Sequence, residues 1–461
     1  MPKVLVEAER LFSEKKYAES GKLYDRILAQ NARHPYILAG MAQVLMNSVD
    51  TIGAAIALFH ASWDRFKEDG IKPPYELPMN LGIAYKSSGQ MDEAREWCKR
   101  AIDVEETAAA LSNYGQLFGE TDQAEEGRKY LEKAVKLDPS LEIAHWNLAI
   151  CLLSTAHRDD HWGYAWDEHE RGHYEGGPRL RKKLSDLPTW DGTKGKKVLV
   201  YGEQGIGDEI MFASMLPDMM KDAEVILDCH PRLTTLFEKS FGIKCYGTRK
   251  EKEMDWVAHE KPDAVIAIGS LGKFYRRSKS SFHGTPYLKV ENPVQRGKKF
   301  RVGISWTGGR LTQRVARRTI PLSWWDSIFM NDCEFVSLQY TDGAEAEIEN
   351  LRSKLGHSIR QEPAAKSDDY YELAKYVKSC DLIITVCTSL VHLAGSLGVP
   401  CWVMVPKHPA WRYQTSGPMP WYRSVRLYRQ PEEDTGSWIP VVQTVGLSLA
   451  DLLKQQKEMA A

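Results

Sequence analysis

The chain has 461 residues and a formal net charge of −1, with 43% hydrophobic and 27% charged side chains. That length exceeds one ordinary core and implies two or three domains, and the near-zero charge excludes a global field drawing the chain to nucleic acid or an anionic membrane. The opening residues lack the apolar core of a signal peptide, no stretch approaches the roughly 20 apolar residues of a membrane span, and eight cysteines scattered from Cys98 to Cys401 include no C-x-x-C pair. These features point to a soluble, cytoplasmic protein without a structural zinc or a disulfide framework.

The first third repeats itself. Asn80-Leu81-Gly82-Ile83-Ala84-Tyr85, followed by Gly89, Ala94 and Ala101, fits the tetratricopeptide template. Thirty-three residues on, Tyr114-Gly115, Phe118, Gly127, Ala134 and Pro139 fill matching slots, and a further step brings Leu148-Ala149 and Leu152. Upstream, Tyr17, Tyr24, Ile27 and Pro35 read as the second half of an earlier repeat, while Ile37 to Phe66 fits less well and has a longer loop. Small residues at these slots let neighbouring helices approach, and stacking completes a core that no single pair can bury. Four to five repeats ending near residue 175 are expected, either offering a groove to a peptide or partner protein or only bracing the following domain.

After Trp190-Asp191-Gly192 the period changes. Lys196 to Tyr201 reads as a buried strand, Gly202 to Glu209 as a glycine-rich turn, and Ile210 to Met220 as an amphipathic helix. Strands follow at Glu224–Asp228 and Asp263–Ile268. A second series runs Arg301–Trp306, Phe335–Gln339, Leu382–Val386 and Cys401–Val405. Lys289 to Lys299, polar and holding Pro293, reads as a hinge between two Rossmann-like lobes with a ligand cleft between them. The expected domains are 1–175 for the repeats, 190–292 and 298–445 for the two lobes and 446–461 for a terminal helix.

Three segments carry the chemistry. The turn through Gln204, Gly205 and Gly207 is not a dinucleotide fingerprint, because Ile210 stands where a third glycine is needed. Its Asp208 is either a helix cap or a general base facing the cleft. Cys387-Thr388-Ser389-Leu390-Val391-His392 follows an apolar strand and opens a helix. Free N–H groups, with the Thr388 and Ser389 hydroxyls, would meet a phosphate there, and His392 either joins them or packs in the core. The loop Trp306-Thr307-Gly308-Gly309-Arg310 leads to Arg314, Arg317 and Arg318, where glycines allow close approach and arginine forks match phosphate oxygens. Such an arginine run can also be a solvated surface; its place at a strand's carboxyl end favours phosphate contact. Trp411, Arg412, Tyr413 and Trp421 are either rim or core.

Together these segments resemble bacterial proteins in which tetratricopeptide repeats precede a domain similar to glycosyltransferase family 9, the heptosyltransferases. The resemblance rests on Trp190-Asp191-Gly192, Gly202 to Asp208, Arg318-Thr319-Ile320-Pro321-Leu322, Val336-Ser337-Leu338-Gln339, Thr388 to Gly395, and Trp421-Tyr422 with Arg429-Gln430. It implies an α-helical TPR solenoid followed by an α/β GT-B fold and an inverting, metal-independent transfer with no cofactor beyond the nucleotide-diphosphate-sugar donor. It also implies that Asp208 is the catalytic base and that the donor diphosphate lies against Thr388 and Ser389. Arg317 or Arg318 would stand in for a family lysine, and Glu345 would hold the donor ribose. Gln339, Gly308, Gly309 and His392 complete the expected donor side, and Gln204, Gly205 and Gly207 the cleft. The absence of a DxD sequence near a strand end agrees with a metal-free enzyme.

One departure stands out. The family has aspartate before the Thr-Ser pair, and this chain has Cys387, which implies a changed sugar or a weakened enzyme rather than a cysteine nucleophile. The primary expectation is sugar transfer to a hydroxyl on a protein, such as a surface or flagellar protein, presented by the repeats. The alternatives are the same chemistry on a glycan, lipid or modified nucleic acid, with nucleic acid disfavoured by charge, and an inactive repeat scaffold with degenerate transferase lobes.

Overall fold

The computed structural model describes residues 2–31, 33–119, 123–174, 176–179, 182, 187–249, 251, 254–308, 317–431 and 437–460. The chain divides into two compact units, the first ending at Cys151 and the second beginning at Leu152. No helix among the described residues is long and apolar enough to cross a membrane.

The first unit is built from helix pairs: α1 (Pro2–Ser13) with α2 (Tyr17–Gln30), α3 (Pro35–Leu45) with α4 (Ile52–Glu68), α5 (Glu76–Ser88) with α6 (Met91–Val104), and α7 (Ala108–Gln116) with α8 (Ala124–Leu137). The small residues read from the sequence are the contact points. Ala84, Ala94, Ala101 and Ala134 have no exposed surface. A Cβ on Gly115 would lie 2.7 Å from Leu131 Cγ and 2.9 Å from the Gly127 carbonyl, so α7 and α8 meet through bare backbone. The poorly matching stretch from Ile37 to Phe66 is an ordinary pair whose helices are joined through a 3₁₀ turn, Val49–Thr51. Its Ala42, Ala55, Phe59 and Phe66 share a core with Leu77, Leu81 and Trp97 of the next pair.

The unit boundary falls within the helix Glu142–Asp159 and earlier than the expected residue 175. The reason is apolar burial. Trp162 and Trp166 are fully buried, and Trp166 packs on Phe212, Trp411 and Trp421. Gln414 donates to the Leu153 carbonyl at 2.6 Å and accepts from His157 N–H at 2.9 Å. Residues 152–179 therefore belong with the sheets.

The second unit holds two parallel sheets. The first has the order β3-β2-β1-β4, from β1 (Lys197–Tyr201), β2 (Glu224–Asp228), β3 (Cys245–Tyr246) and β4 (Ala264–Ala267). The second runs β10-β9-β8-β5-β6-β7, from β5 (Arg301–Ser305), β6 (Glu334–Ser337), β7 (Arg360–Gln361), β8 (Leu382–Val386), β9 (Cys401–Val405) and β10 (Val425–Arg429). Renumbered from β5, that is the doubly wound order 3-2-1-4-5-6, with its switch point between β5 and β8. In the first sheet the switch lies between β1 and β4. Strands buried on both faces read as continuous apolar runs, as Val198–Tyr201 and Leu382–Val386 do.

The segment read as a hinge, Lys289–Lys299, carries no helix or strand, and just before it the Tyr287 and Leu288 N–H groups donate to the Ser396 carbonyl at 3.0 and 3.1 Å. The terminal helix begins at Ile439, not 446, because Val441, Val442 and Val445 cover the six-stranded sheet's core.

Because Gly115 has no room for a side chain, Gly115→Val should destabilise the repeat unit by about 1–3 kcal/mol. Its urea midpoint, followed by helical circular dichroism, should fall accordingly, and an unchanged midpoint would refute the close-approach reading.

Candidate functional site

The site grows from the carboxyl ends of β1, β5 and β8, where parallel sheets place ligands at their switch points. After β1 the chain must turn sharply. Gly202 N–H donates to the Asp228 carbonyl at 2.6 Å, and a Cβ on Gly202 would lie 2.5 Å from the Glu209 carboxyl carbon. Gln204 follows in the left-handed region at φ 62°, a conformation that costs a non-glycine residue about 1 kcal/mol and that clusters at functional sites. Arg249 holds it by donating to the Gln204 carbonyl at 2.9 Å. The helix then starts at Ile206, four residues earlier than the sequence suggested, because the Asp208 carboxylate caps it by accepting Gly205 N–H at 3.1 Å.

Buried charge underlies this turn. Arg179, fully buried, donates to Glu203 at 3.1 and 2.5 Å and to Glu170 at 2.7 Å. Burial opposes the charge on Arg179, but the two carboxylates outweigh it and raise its pKa. Beside Asp208, Glu209 is fully buried against Arg249 and accepts the His230 N–H at 2.8 Å. Burial still pushes Glu209 up to about 7. Asp228, which ends β2 where a dinucleotide site would present its ribose-binding acid, is taken up by Lys182 and Thr248.

The second half starts at β8. Thr388, in extended conformation, caps the helix Ser389–Leu397 by accepting Leu390 N–H at 3.3 Å. Ser389 Oγ lies 3.1 Å from Tyr370 OH, and the Arg232 guanidinium sits 4.8 Å over the Tyr370 ring. Arg318 donates to the Cys387 carbonyl at 3.1 Å, which brings a cation to the same strand end; Arg317 is exposed. A Cβ on Gly308 would lie 2.7 Å from Thr388 Cγ2, so this glycine lets the β5 loop lie on the helix start. Gly309, Arg310 and Arg314 lie outside the described residues.

Other residues expected on the donor side are engaged within the protein. Gln339 is buried with its amide engaged. Its oxygen accepts from Ser305 Oγ, Trp306 N–H and Thr307 N–H at 2.8, 3.1 and 3.3 Å, and its nitrogen donates to Thr307 O and Thr341 Oγ1, both at 2.9 Å. It shapes the β5 loop. Glu345 is exposed and paired with Lys366, while Glu347 accepts Trp306 Nε1–H at 2.8 Å. Cys387 is buried, and burial pushes its thiol up to about 12, so it is neither a nucleophile nor a substitute for a carboxylate.

The two halves meet at Gly207. A Cβ there would lie 3.2 Å from His392 Cδ2 and 3.3 Å from Ser389 Cα, so the helix start carrying Asp208 packs on the one carrying Ser389. Across this junction Asp208 Oδ1 pairs with Arg412. His392 is a core residue of the junction, 3.2 Å from Tyr422 OH. Burial first, and Arg412 second, hold its imidazole down at about 3 against the opposing pull of Asp208. Trp411, Tyr413 and Trp421 are core aromatics, and Arg412 between them is the residue that faces the site.

Of the residues singled out by sequence reading, the fold brings Asp208, Thr388, Ser389, Gly308 and Arg318 together or onto one strand end. That reading leaves Arg412 open as rim or core and does not name Tyr370, Arg232 or Arg249, which lie in no motif and are brought to their partners by the fold.

A model of the tetratricopeptide repeat matches residues 77–107 and 108–141. The chain is 24% identical to protein FlbA of Caulobacter vibrioides over 503 aligned positions, covering 94% of this chain and 82% of that protein. It is 40% identical over 62 residues to human protein O-mannosyl-transferase TMTC1, which covers 13% of this chain and 7% of that one. Among solved structures, the tetratricopeptide protein YrrB aligns at 16% identity and a TM-score of 0.29, covering 36% of this chain and 82% of that one. The tetratricopeptide protein TTC0263 of Thermus thermophilus aligns at 17% and 0.32, covering 37% and 88%.

A neutral, buried His392 gives the site a pH signature. Unfolded, the imidazole takes a proton below its ordinary 6.5; folded, it refuses one until about 3. Stability is therefore lost as pH falls from 6.5 towards 3, by up to about 1.4 kcal/mol per unit. Glu209, raised when folded, contributes with the opposite sign, so the comparison with a variant isolates the histidine. Urea midpoints across this window should fall less steeply for His392→Gln than for the parent, and parallel profiles would contradict the assignment.

Proposed function

We propose that the chain is an inverting, metal-independent glycosyltransferase of the GT-B type, moving a sugar from a nucleotide-diphosphate donor to a hydroxyl. The observation that carries this reading is the junction at Gly207, where switch points of two parallel sheets meet with a carboxylate on one side and a helix start on the other. The order of its motifs resembles that of the heptosyltransferase-like domains, with Cys387 and Arg318 departing from the family residues.

The chemistry follows from the parts. Asp208 takes the proton of the acceptor hydroxyl as that oxygen bonds the anomeric carbon. The bond from this carbon to the diphosphate breaks, and the diphosphate leaves with the electron pair. Its charge is met by the N–H groups opening the helix Ser389–Leu397, by the Thr388 and Ser389 hydroxyls and by Arg318. Arg412 occupies Asp208 Oδ1, so the acceptor displaces or shares that contact. Arg412 is then beside the leaving diphosphate, a second cation that the sequence motifs do not name.

A protein acceptor is supported by the repeats, whose family serves chiefly in protein recognition. The similarity to an O-mannosyl-transferase points the same way over a short stretch. One observation favours a scaffold instead: buried, neutral Cys387 replaces a carboxylate that the resemblance places beside the donor sugar.

The test is transfer and donor hydrolysis by the purified full chain across a panel of nucleotide sugars. Asp208→Asn should lower turnover about 100-fold or more while leaving donor affinity within a few-fold. Turnover close to that of the parent would remove Asp208 as the base, and no turnover with any donor would favour the scaffold.

A further inference from the structure

The first unit holds a cavity of about 250 Å³ between α1, α3 and α5. That is below the roughly 300–1,000 Å³ of a small-molecule site and suits one long side chain of a larger partner. Glu9 reaches it from α1, Tyr36, Gly40 and Gln43 from one face of α3, and Glu76 and Asn80 from α5. It thus follows the first helices of successive pairs, which is how a repeat array offers a continuous surface to another chain. Apart from Leu77 and Asn80, its walls lie upstream of the residues that the tetratricopeptide model matches.

A buried hydroxyl marks the spot. Tyr24 of α2 is 4% exposed, and its ring lies on bare backbone of α3: a Cβ on Gly40 would lie 2.5 Å from Tyr24 Cε1 and 2.6 Å from its hydroxyl oxygen. Both residues line the cavity. The hydroxyl has no hydrogen-bond partner among the described residues, yet it is not sealed in and remains within reach of water. A buried tyrosine hydroxyl normally finds its partner inside the protein, so an open one on a cavity wall is placed to take a partner from outside. Burial, and then the Glu9 carboxylate, push this phenol up to about 12, so it stays a neutral hydroxyl beside a charge.

The charge around it has one sign. Among the described residues no lysine or arginine lines the cavity, and Glu9 and Glu76 make no ion pair, whereas Glu7, Glu14, Glu68 and Glu96 of the same unit are each held by an arginine. Exposed carboxylates alone are ordinary solvated surface. Here they flank the open hydroxyl and an aromatic wall, where Tyr36, 53% exposed, stands edge to face with fully buried Phe66 at 5.0 Å.

We propose that this cavity takes an arginine side chain from a segment of a partner protein. The guanidinium donates to Glu9, Glu76 and the Tyr24 oxygen, its stem lies along Tyr36 above Gly40, and the uncommitted amides of Gln43 and Asn80 meet the flanking main chain. Arginine fits better than lysine because its planar fork serves several acceptors at once and stacks on aromatic surface. The inference rests on the reading of the repeats as a protein-recognition surface and deepens it, but it does not rest on sugar transfer, so binding and turnover fail separately.

The test incubates the full chain, at physiological salt, with pools of capped nonapeptides randomised except for a central arginine, citrulline or glutamate. The arginine pool should be retained about tenfold or more over the neutral citrulline pool, with glutamate least. Glu9→Gln and Glu76→Gln, both at exposed positions, should each cut that preference several-fold, while Glu105→Gln, exposed on the same unit and outside the cavity, should keep it. Tyr24→Phe, which retains the ring and removes the hydroxyl, should weaken it several-fold with helical circular dichroism unchanged. The proposal is overturned if no pool is retained, if arginine and citrulline are retained equally, or if Glu9→Gln, Glu76→Gln or Tyr24→Phe keeps the full preference. It is overturned equally if Glu105→Gln loses as much as they do, or if N-acetylarginine amide binds as tightly as the selected peptides, which would make the occupant a small cation.

Discussion

The second unit turns on the close approach of two helix starts at Gly207. Each follows the carboxyl end of a parallel strand, where free backbone N–H groups gather. A side chain on residue 207 would press on Ser389 Cα and the His392 ring, and those contacts bring Asp208 to the Thr388–Ser389 turn. Gly308 repeats the device on the other side, letting the β5 loop lie on Thr388. Small residues here perform the work they perform between the repeat helices. They remove bulk so that backbone can meet backbone, and in the second unit what they bring together is Asp208 and the Thr388–Ser389 turn.

Such a junction needs a stiff base. Gln204 is held in a left-handed conformation by Arg249, which also pairs with buried Glu209, and Arg179 locks Glu203 one residue earlier. Buried ion pairs add little net stability over an apolar equivalent, but breaking one leaves an uncompensated charge. Their effect here is to fix a turn that the backbone alone disfavours, so that Asp208 emerges at one position. By contrast, the Asp208–Arg412 pair is partly exposed, at 16% and 19% of the two side chains. It is the electrostatic contact in this cluster best able to exchange partners.

Much of this was legible because local chemistry writes itself into short stretches. Recurring Gly82, Gly115, Ala94 and Gly127 announced helix pairs, and apolar runs before small hydroxyl residues announced β8 and its helix start. What was not legible depends on distance along the chain or on sizes too small for a pattern. The two-residue strands Cys245–Tyr246 and Arg360–Gln361 have no periodicity to read. The helix start at Ile206 was masked by glycines that argue against helix until the Asp208 cap is seen. Residues 152–175 were assigned to the repeats; which core Trp162 and Trp166 enter depends on residues such as Phe282 and Trp411, over a hundred positions away. Gln339, conspicuous in sequence, braces the β5 loop, and Arg412, readable only as rim or core, faces Asp208.

The central claim is that the paired helix starts form one diphosphate site. The most direct measurement is calorimetric titration of the full chain and of Gly207→Val with a panel of nucleoside diphosphates. The account predicts that one of them binds the parent at one to one and that Gly207→Val loses about tenfold or more in affinity while retaining its circular dichroism. A parent that binds none of the panel, or a Gly207→Val variant that binds as the parent does, would contradict it.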